Sequence, residues 1–195
     1  VPYFPSTERA LRAVQRLTAF SQRSFERTDA QPVALALPAG RTVVPEYESK
    51  AVLAQAGIPF ARGRLATSVE QAVAIASEIG WPVALKAQSA DLSHKSDAGG
   101  VILNIADAQA MGEAWSRLHA NVAAYDSAIA LDGVLIEAMG QRGLEMIIGA
   151  RNDPQWGPVI LAGLGGVTAE IMRDARLLDA DLSTGEVLRE LDRLQ

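Results

Sequence analysis

A polar segment between two apolar runs, residues 85–105, contains the residue types best suited to chemistry. His94, one of only two histidines in the chain, lies in this segment and is followed by Gly99 and Gly100. A neutral imidazole can act as a nucleophile toward phosphorus, and the N–H groups of a glycine-bearing backbone can approach an anion. Spacing alone leaves two interpretations open: an ordinary surface hairpin, or a flexible loop that closes over phosphate groups.

Lys86 comes eight residues before that histidine, within the apolar run PVALKAQS. The run predicts a strand, and a lone lysine in a strand most often lies on its solvent face. Its neighbours on the same face, Ala84 and Gln88, are not the charged pair typical of a solvated face. Lys86 could therefore reach the phosphates of a nucleotide as a point charge.

Two glutamates interrupt apolar strands that follow one another in the chain. Glu137 lies in GVLIEAM and Glu145 in LEMIIGARND, with the predicted turn GQRG between them. Each could simply face solvent on a half-buried sheet. Alternatively, the two could lie near each other on paired strands and accept hydrogen bonds from ribose hydroxyls, while the backbone near Ala138 and Met139 reads an adenine edge.

The sequence also excludes several kinds of site and partner. It has no Walker A motif, and AGLGGVTAE places Thr168 where a Rossmann fingerprint needs its third glycine. Without cysteine and without a His-Glu-x-x-His motif, a zinc site of those kinds is excluded. His119, beside the apolar face of a predicted helix, is interpreted as structural or exposed. A net charge of −5 argues against nucleic acid as the main partner.

The predicted elements favour an α+β fold with largely antiparallel sheets over a doubly wound parallel sheet. Helices are predicted at 6–28 and 68–79, with Thr67 and Glu70 as a capping box for the second, and a further helix begins after Asp107. The start lacks a signal peptide and an initiator methionine, so the chain is expected to begin inside a longer protein. Strands are predicted at 60–65, 82–89, 100–105, 133–139, 144–153 and 158–164.

Several of these segments, in this order, resemble the nucleoside-diphosphate-forming acyl-CoA synthetases: PEYESKAVLAQAGIPF, HKSDAGGV, RNDPQWGP and GLGG. The chain is similar to the beta subunit of ADP-forming acetyl-CoA synthetase and, more distantly, to that of succinyl-CoA synthetase, over residues 45–190 or so. The resemblance implies the ATP-grasp fold, in which a nucleotide lies between two α+β subdomains. It also implies ATP (or GTP) and Mg²⁺ as cofactors.

The resemblance implies a role for each candidate residue. Lys86 corresponds to the phosphate-binding lysine of a strand, and His94 to the histidine of a mobile loop that carries a phosphoryl group between sites. Glu137 corresponds to the glutamate of the adenine hinge, and Glu145 to the glutamate of the next strand near the nucleotide. The other nucleotide-binding residues that the resemblance implies in the loop and hinge are Lys95, Ser96, Gly99, Gly100, Ala138 and Met139.

The resemblance also divides the chain. Residues 1–30 resemble the helical tail of a CoA-ligase domain, 31–45 a linker, 46–133 the N-terminal subdomain with its histidine loop, and 134–195 the start of an incomplete C-terminal subdomain. The metal-binding Asp and Asn of the family are expected beyond residue 195, so no metal ligand is assigned within this chain. The fragment alone is therefore expected to be inactive.

The implied reaction converts an acid, CoA and ATP (or GTP) to acyl-CoA, a nucleoside diphosphate and phosphate, through acyl phosphate and phosphohistidine. The expected partners are CoA, a small carboxylic acid and a CoA-ligase domain or subunit. A cytoplasmic protein without a membrane partner is expected, and a homo-oligomer is left open. Two alternatives stand: a regulatory synthetase-like module of a fused protein acetyltransferase, and an ATP-grasp carboxylate–amine ligase that needs no loop histidine.

Overall fold

The computed structural model describes residues 5–21, 28–29, 31, 33–38, 40, 43–141, 143–166 and 174–194. It divides into two compact units: the four-stranded unit, residues 32–142, and the three-stranded unit, residues 1–31 with 143–195. The helices described are α1 (Thr7–Ser21), α2 (Glu46–Leu53), α3 (Val69–Ile79), α4 (Ala108–Tyr125) and α5 (Thr184–Leu191). The strands described are β1 (Gly63–Ala66), β2 (Val83–Gln88), β3 (Val101–Ile105), β4 (Gly133–Ala138), β5 (Met146–Asp153), β6 (Gly157–Leu164) and β7 (Ala175–Asp179).

The four-stranded unit is an antiparallel sheet in the order β1-β4-β2-β3, with α3 and α4 packed on one face. Alternate residues of β2 and β4, such as Leu85 and Ile136, point into this core and are fully buried. The apolar side predicted for α4 is buried too, because Met111 and Leu118 have no exposed surface. The antiparallel α+β prediction is confirmed.

Helices α3 and α4 of this unit begin at side-chain caps. Asp107 accepts a hydrogen bond from the Ala110 N–H at 2.8 Å, as predicted for the start of α4. At α3 the cap is Ser68, which accepts from the Gln71 N–H at 3.3 Å, so the prediction that Thr67 caps this helix is wrong by one residue. The Gln71 side-chain oxygen also accepts a hydrogen bond from the N–H of Thr67, the residue before the cap, at 2.9 Å.

The three-stranded unit contains the antiparallel sheet β5-β6-β7. Helix α5 covers one face, where Ala162, Leu178 and Leu182 form a small core. Of the two interpretations left open for Glu137 and Glu145, the paired strands are not observed, because β4 and β5 belong to different sheets. Strand β4 pairs with β1 and β2, and β5 pairs with β6. A short connection between two strands does not by itself determine which strands pair.

Helix α1 confirms the first part of the helix predicted at 6–28, and residues 22–27 lie outside the described part of the chain. Its apolar residues Leu11 and Leu17 are both largely exposed. Thr168, in the segment 167–173, also lies outside the described residues. Among the described helices none has the length and apolar character needed to span a bilayer.

Candidate nucleotide-binding site

Strand β2 presents Lys86 on the sheet face opposite the core. In the register of β2 with β4, Ala84 lies opposite Glu137, so Glu137 and Lys86 are diagonal neighbours on that face. The Lys86 ammonium donates to Glu137 Oε2 at 2.6 Å and to Glu46 Oε1 at 2.9 Å. Glu137 is only 6% exposed, and Lys86 is half-buried. The lysine predicted to bind phosphate therefore lies in an ion-pair cluster and not on a solvated face.

Helix α2 adds two charged residues that sequence reasoning missed. Glu46 and Lys50 are one turn apart on the helix, and the Lys50 ammonium contacts Glu46 Oε1 at 2.7 Å as well as the carboxylate of Glu137. Lys50 also lies 5.9 Å from the centre of the Phe60 ring. The spacing of the two residues in EYESK was visible in the sequence, but nothing local related that helix to Lys86.

Lys95, the residue after His94, completes the cluster. Its ammonium contacts Glu46 Oε2 at 2.5 Å, so one carboxylate meets three lysines. The cluster consists of Lys50, Lys86 and Lys95 against Glu46 and Glu137, three positive charges against two negative charges, which leaves a net charge of +1.

The pKa values of Glu46 and Lys86 are both shifted in the direction that favours the charged form. Burial raises the pKa of Glu46, but hydrogen bonds from Lys50, Lys95 and Lys86 outweigh it and lower that pKa from 4.5 to about 2. Burial lowers the pKa of Lys86, but its hydrogen bonds and charge attraction to Glu137 and Glu46 outweigh it and raise that pKa. Glu46 is therefore a carboxylate, and Lys86 an ammonium group, across the physiological pH range.

The loop with His94 is anchored at both sides and exposed at its histidine. Leu92 and Ala98 are buried on either side, whereas His94 is exposed. The Ala98 N–H donates to the His94 carbonyl at 3.4 Å, and the Gly100 N–H donates to the Lys95 carbonyl at 2.8 Å. This arrangement fixes the base of the loop and leaves the imidazole accessible.

The loop glycines have steric reasons to be glycine. Gly99 has φ +61°, and a Cβ there would lie 2.7 Å from the side-chain nitrogen of Asn121. The same nitrogen donates to the Gly99 carbonyl at 3.0 Å. At Gly100 a Cβ would lie 3.0 Å from the Cβ of Ala87. These close contacts explain structurally why positions 99 and 100 are glycine. Ser96, on the same loop, is exposed.

The residues predicted to form the adenine hinge, Ala138 and Met139, follow directly after Glu137. The Ala138 N–H donates to the Arg62 carbonyl at 2.8 Å, so that donor is already used within the unit. Of the two hinge residues, Met139 is therefore the better candidate for a backbone donor to an adenine edge. A cavity of about 330 Å³ lies beside Lys50 and Glu137, with Phe60 among its apolar walls.

Glu145 lies in the three-stranded unit, whereas the lysine cluster lies in the four-stranded unit. It is exposed and its carbonyl accepts from the Gly165 N–H at 2.8 Å. A Cβ at Gly166, where φ is +72°, would lie 2.9 Å from the Glu145 carboxylate. The four-stranded unit thus brings together Lys86, Lys95 and Glu137 near the His94 loop, and Glu145 is not among them.

The lysine cluster suits the phosphates of a nucleotide, because several ammonium groups converge with a net positive charge. A protein-bound metal ion is a different matter. Within the described ranges no three histidine, aspartate or glutamate side chains converge as a metal site would require.

Known proteins carry the same segments. The ATP-grasp domain family matches residues 35–195. Trans-feruloyl-CoA synthase FCS1, from an unknown prokaryotic organism, is 51% identical over 196 residues, which cover 100% of this chain and 28% of that protein. The beta subunit of ADP-forming acetate–CoA ligase II from Pyrococcus furiosus is 43% identical over 138 residues, covering 71% of this chain and 58% of that subunit. The chain therefore spans less than two thirds of the length of either relative.

Solved structures agree with these relatives. The dinucleotide-forming acetyl-coenzyme A synthetase 1 of Ca. Korarchaeum cryptofilum, in complex with coenzyme A, Ca-AMPCP and HgCl+, aligns with a TM-score of 0.77 at 36% identity, covering 80% of this chain and 68% of that chain. Two further structures of that enzyme align at 34% identity with TM-scores of 0.70 and 0.66 over 80% of this chain and 67% and 66% of theirs. One has a phosphorylated phosphohistidine segment, and the other has that segment pointing towards the nucleotide binding site.

The match over residues 35–195 and the identities above 30% agree with the antiparallel α+β fold. The chain belongs to the ATP-grasp family, and its homologues are ADP-forming acyl-CoA synthetases.

Proposed function

We propose that this chain is the ATP-grasp part of a nucleoside-diphosphate-forming acyl-CoA synthetase, and that His94 carries a phosphoryl group away from the nucleotide. The observation that carries this proposal is the position of Lys95, the residue after His94. Its ammonium contacts one oxygen of Glu46, and the other oxygen of that carboxylate contacts Lys86. An exposed imidazole is therefore attached to a loop anchored at a positively charged cluster.

The chemistry follows from the residues of this chain. Lys50, Lys86 and Lys95 would hold the phosphate oxygens of the substrate ATP or GTP as point charges. A ring nitrogen of His94 would attack the terminal phosphorus. A nitrogen–phosphorus bond forms as the bond to the bridging oxygen breaks, the diphosphate leaves with that electron pair, and the ring proton passes to solvent. The lysines would stabilise the charge on the transferring and leaving oxygens.

The remaining candidate residues keep supporting roles in this proposal. Glu137, the backbone of Met139 and Glu145 would serve the adenosine part of the nucleotide. Ser96, with the loop backbone at Gly99 and Gly100, would contact the transferring phosphoryl group. Mg²⁺ would accompany the nucleotide, and no step here is derived through it.

The second half-reaction lies with the rest of the protein. The phosphohistidine would give its phosphoryl group to the acid, and CoA would displace phosphate from the acyl phosphate to form acyl-CoA. We assign this step to a CoA-ligase domain or subunit. Because a relative with 51% identity is a feruloyl-CoA synthase, ferulate is the first acid to test, with acetate beside it.

The relatives and structures described above are CoA ligases and synthases. They do not support the alternative of a regulatory module in a protein acetyltransferase. An ATP-grasp carboxylate–amine ligase would share Lys86 and the hinge, but it would have no use for the exposed His94.

The test is phosphorylation of the full-length protein with ATP labelled in its terminal phosphate. Trypsin cleavage after Lys86 and Lys95 isolates His94 in the peptide 87–95. We expect alkali-stable, acid-labile label in that peptide of the wild type, and none there in His94→Ala.

His119→Ala is the matched control. His119 is exposed on α4, its Nδ1 lies 2.9 Å from the Trp115 carbonyl oxygen, and it falls in a different tryptic peptide. Labelling of peptide 87–95 should persist in this variant. Full turnover of acid, CoA and ATP by His94→Ala would overturn the proposed function.

A further inference from the structure

Glu46 occupies an unusual position for an acidic residue in a phosphate site. Its Oε1 contacts Lys50 at 2.7 Å and Lys86 at 2.9 Å, and its Oε2 contacts Lys95 at 2.5 Å. One carboxylate therefore joins three elements that are remote in sequence: helix α2, strand β2 and the loop with His94.

We propose that Glu46 is a positioning residue, which docks the His94 loop beside Lys86 by holding Lys95. It would be needed for phosphoryl transfer to His94 and not for nucleotide affinity. This inference rests on the proposed function, which uses Lys50 of helix α2 for phosphate binding but gives no role to Glu46.

The charge balance supports this separation of roles. The phosphates of a nucleotide are anionic, so a carboxylate on the same lysines repels them and weakens their binding. Glu46 stays ionised because hydrogen bonds from the three lysines outweigh the effect of its burial on its pKa. Glu46 contacts every lysine of the cluster, although its charge opposes nucleotide binding. Its presence is better explained by the three elements that it holds together.

The loop geometry shows how Glu46 could act on His94. The Lys95 carbonyl accepts from the Gly100 N–H at 2.8 Å, and the Gly100 carbonyl accepts from the Ala87 N–H of β2 at 2.7 Å. The backbone of Lys95 is therefore tied to the sheet on one side, and its side chain is tied to Glu46 on the other. Because His94 is the adjacent residue, both ties limit where its ring can go.

The first experiment is Glu46→Gln in the full-length protein. Glutamine keeps the shape and one acceptor oxygen but removes the charge. We expect phosphorylation of His94 in a single turnover to slow by about tenfold to a hundredfold, while the nucleotide Kd is unchanged or lower, because a repulsive charge is gone. A purely structural role would weaken both, and parallel losses in rate and affinity would overturn the inference.

Lys95→Gln and the double variant test whether Glu46 acts through Lys95. If it does, the double variant should be no slower than Lys95→Gln alone, since both changes remove the same contact. Losses that multiply would contradict this. Glu48→Gln, on the same helix but outside the cluster, is the matched control and should match the wild type within about twofold.

Hydrogen exchange of the nucleotide-free protein tests docking without any chemistry. The reporters are the N–H groups of Ala98, Gly99 and Gly100, which bond to carbonyls within the loop. In Glu46→Gln their exchange should be faster by about tenfold. Fast exchange with no label on wild-type His94 would support docking and overturn the proposed function. A labelled wild type, with rate and exchange both unchanged in Glu46→Gln, would overturn this inference alone.

Discussion

The two sheets of the molecule are covered in different ways. In the four-stranded unit, α3 and α4 bury one face, and the opposite face carries the lysine cluster with α2. In the three-stranded unit α5 covers one face, whereas Leu161 and Leu177 on the other face are 40% and 71% exposed. A strand pattern therefore reports that a face is apolar, but it does not report that the face is covered.

The uncovered face also forms a groove. The groove has a volume of about 560 Å³. Trp156, which is 80% exposed, lines it together with the Arg151–Asp153 ion pair. The cavity beside Lys50 in the four-stranded unit is smaller, with a volume of about 330 Å³. The charged candidate site and the larger core lie in the four-stranded unit, whereas the three-stranded unit carries the exposed apolar face.

The largest expected difference between the units is the cost of removing a leucine. Leu85→Ala removes a fully buried side chain and should destabilise the four-stranded unit by about 2–5 kcal/mol. Leu177→Ala, on the uncovered face, should change stability by less than about 0.5 kcal/mol. Urea unfolding with hydrogen exchange in each unit measures both. Equal costs would mean that the exposed face is covered in solution.

Lys86→Met should have the next largest effect, and it should act on the nucleotide. Loss of an ammonium from the cluster is expected to weaken nucleotide affinity by about a hundredfold. Arg176→Met is the matched control in the other unit, because Arg176 bonds to a buried glutamate, Glu190, at 2.8 Å as Lys86 does to Glu137. Isothermal titration should show the loss for Lys86→Met only. Equal weakening by both variants would remove the phosphate role of Lys86.

Local patterns in the sequence predicted most elements of both units. The cap Asp107 precedes its helix as expected, and the alternation around Lys86 gives the correct strand. Hydrophobic periodicity identifies the inner face of a strand, but not its partner. A pairing of the strands near Glu137 and Glu145 was for that reason left open, and β4 and β5 lie in different sheets.

The site was only partly predictable for a similar reason. Lys86 and Glu137 were indicated both by their positions in apolar strands and by the family resemblance, and Lys95 by the resemblance alone. All three lie in one cluster. Glu46 and Lys50 were missed because their partners are 40 to 87 residues away in sequence, and no local pattern links them. The bond from the Ala138 N–H to Arg62 is equally long-range, so the better hinge donor could not be chosen from sequence alone.

Acid should destabilise the four-stranded unit more than the three-stranded unit, because Glu46 lies in the four-stranded unit. Its pKa in the folded state, about 2, lies below its ordinary value of 4.5. The carboxylate therefore contributes stability above about pH 4.5, and this is lost as the pH falls toward about 2. The full shift corresponds to about 3 kcal/mol, and screening by solvent at this half-buried site reduces the expected contribution to about 1–2 kcal/mol.

Acid titration of unfolding in Glu46→Gln checks this contribution. The variant should lose part of the pH dependence between about pH 2 and 4.5 in the four-stranded unit, and keep that of the three-stranded unit. An unchanged profile in the four-stranded unit would mean that Glu46 is not held by its lysines in solution.

The smallest expected effects compare one helix cap from each unit. Ser68 and Ser183 each accept a hydrogen bond from a backbone N–H three residues later at 3.3 Å, so the two caps match in geometry. Replacing either serine by alanine should cost about 1 kcal/mol. Because α3 packs into the larger core and α5 covers a small one, Ser183→Ala should raise amide exchange throughout the three-stranded unit, whereas Ser68→Ala should fray only the start of α3. Fraying confined to the start of α5 in Ser183→Ala would show that the three-stranded unit is as well supported as the four-stranded unit, and the contrast between the two sheets would then concern exposure and not stability.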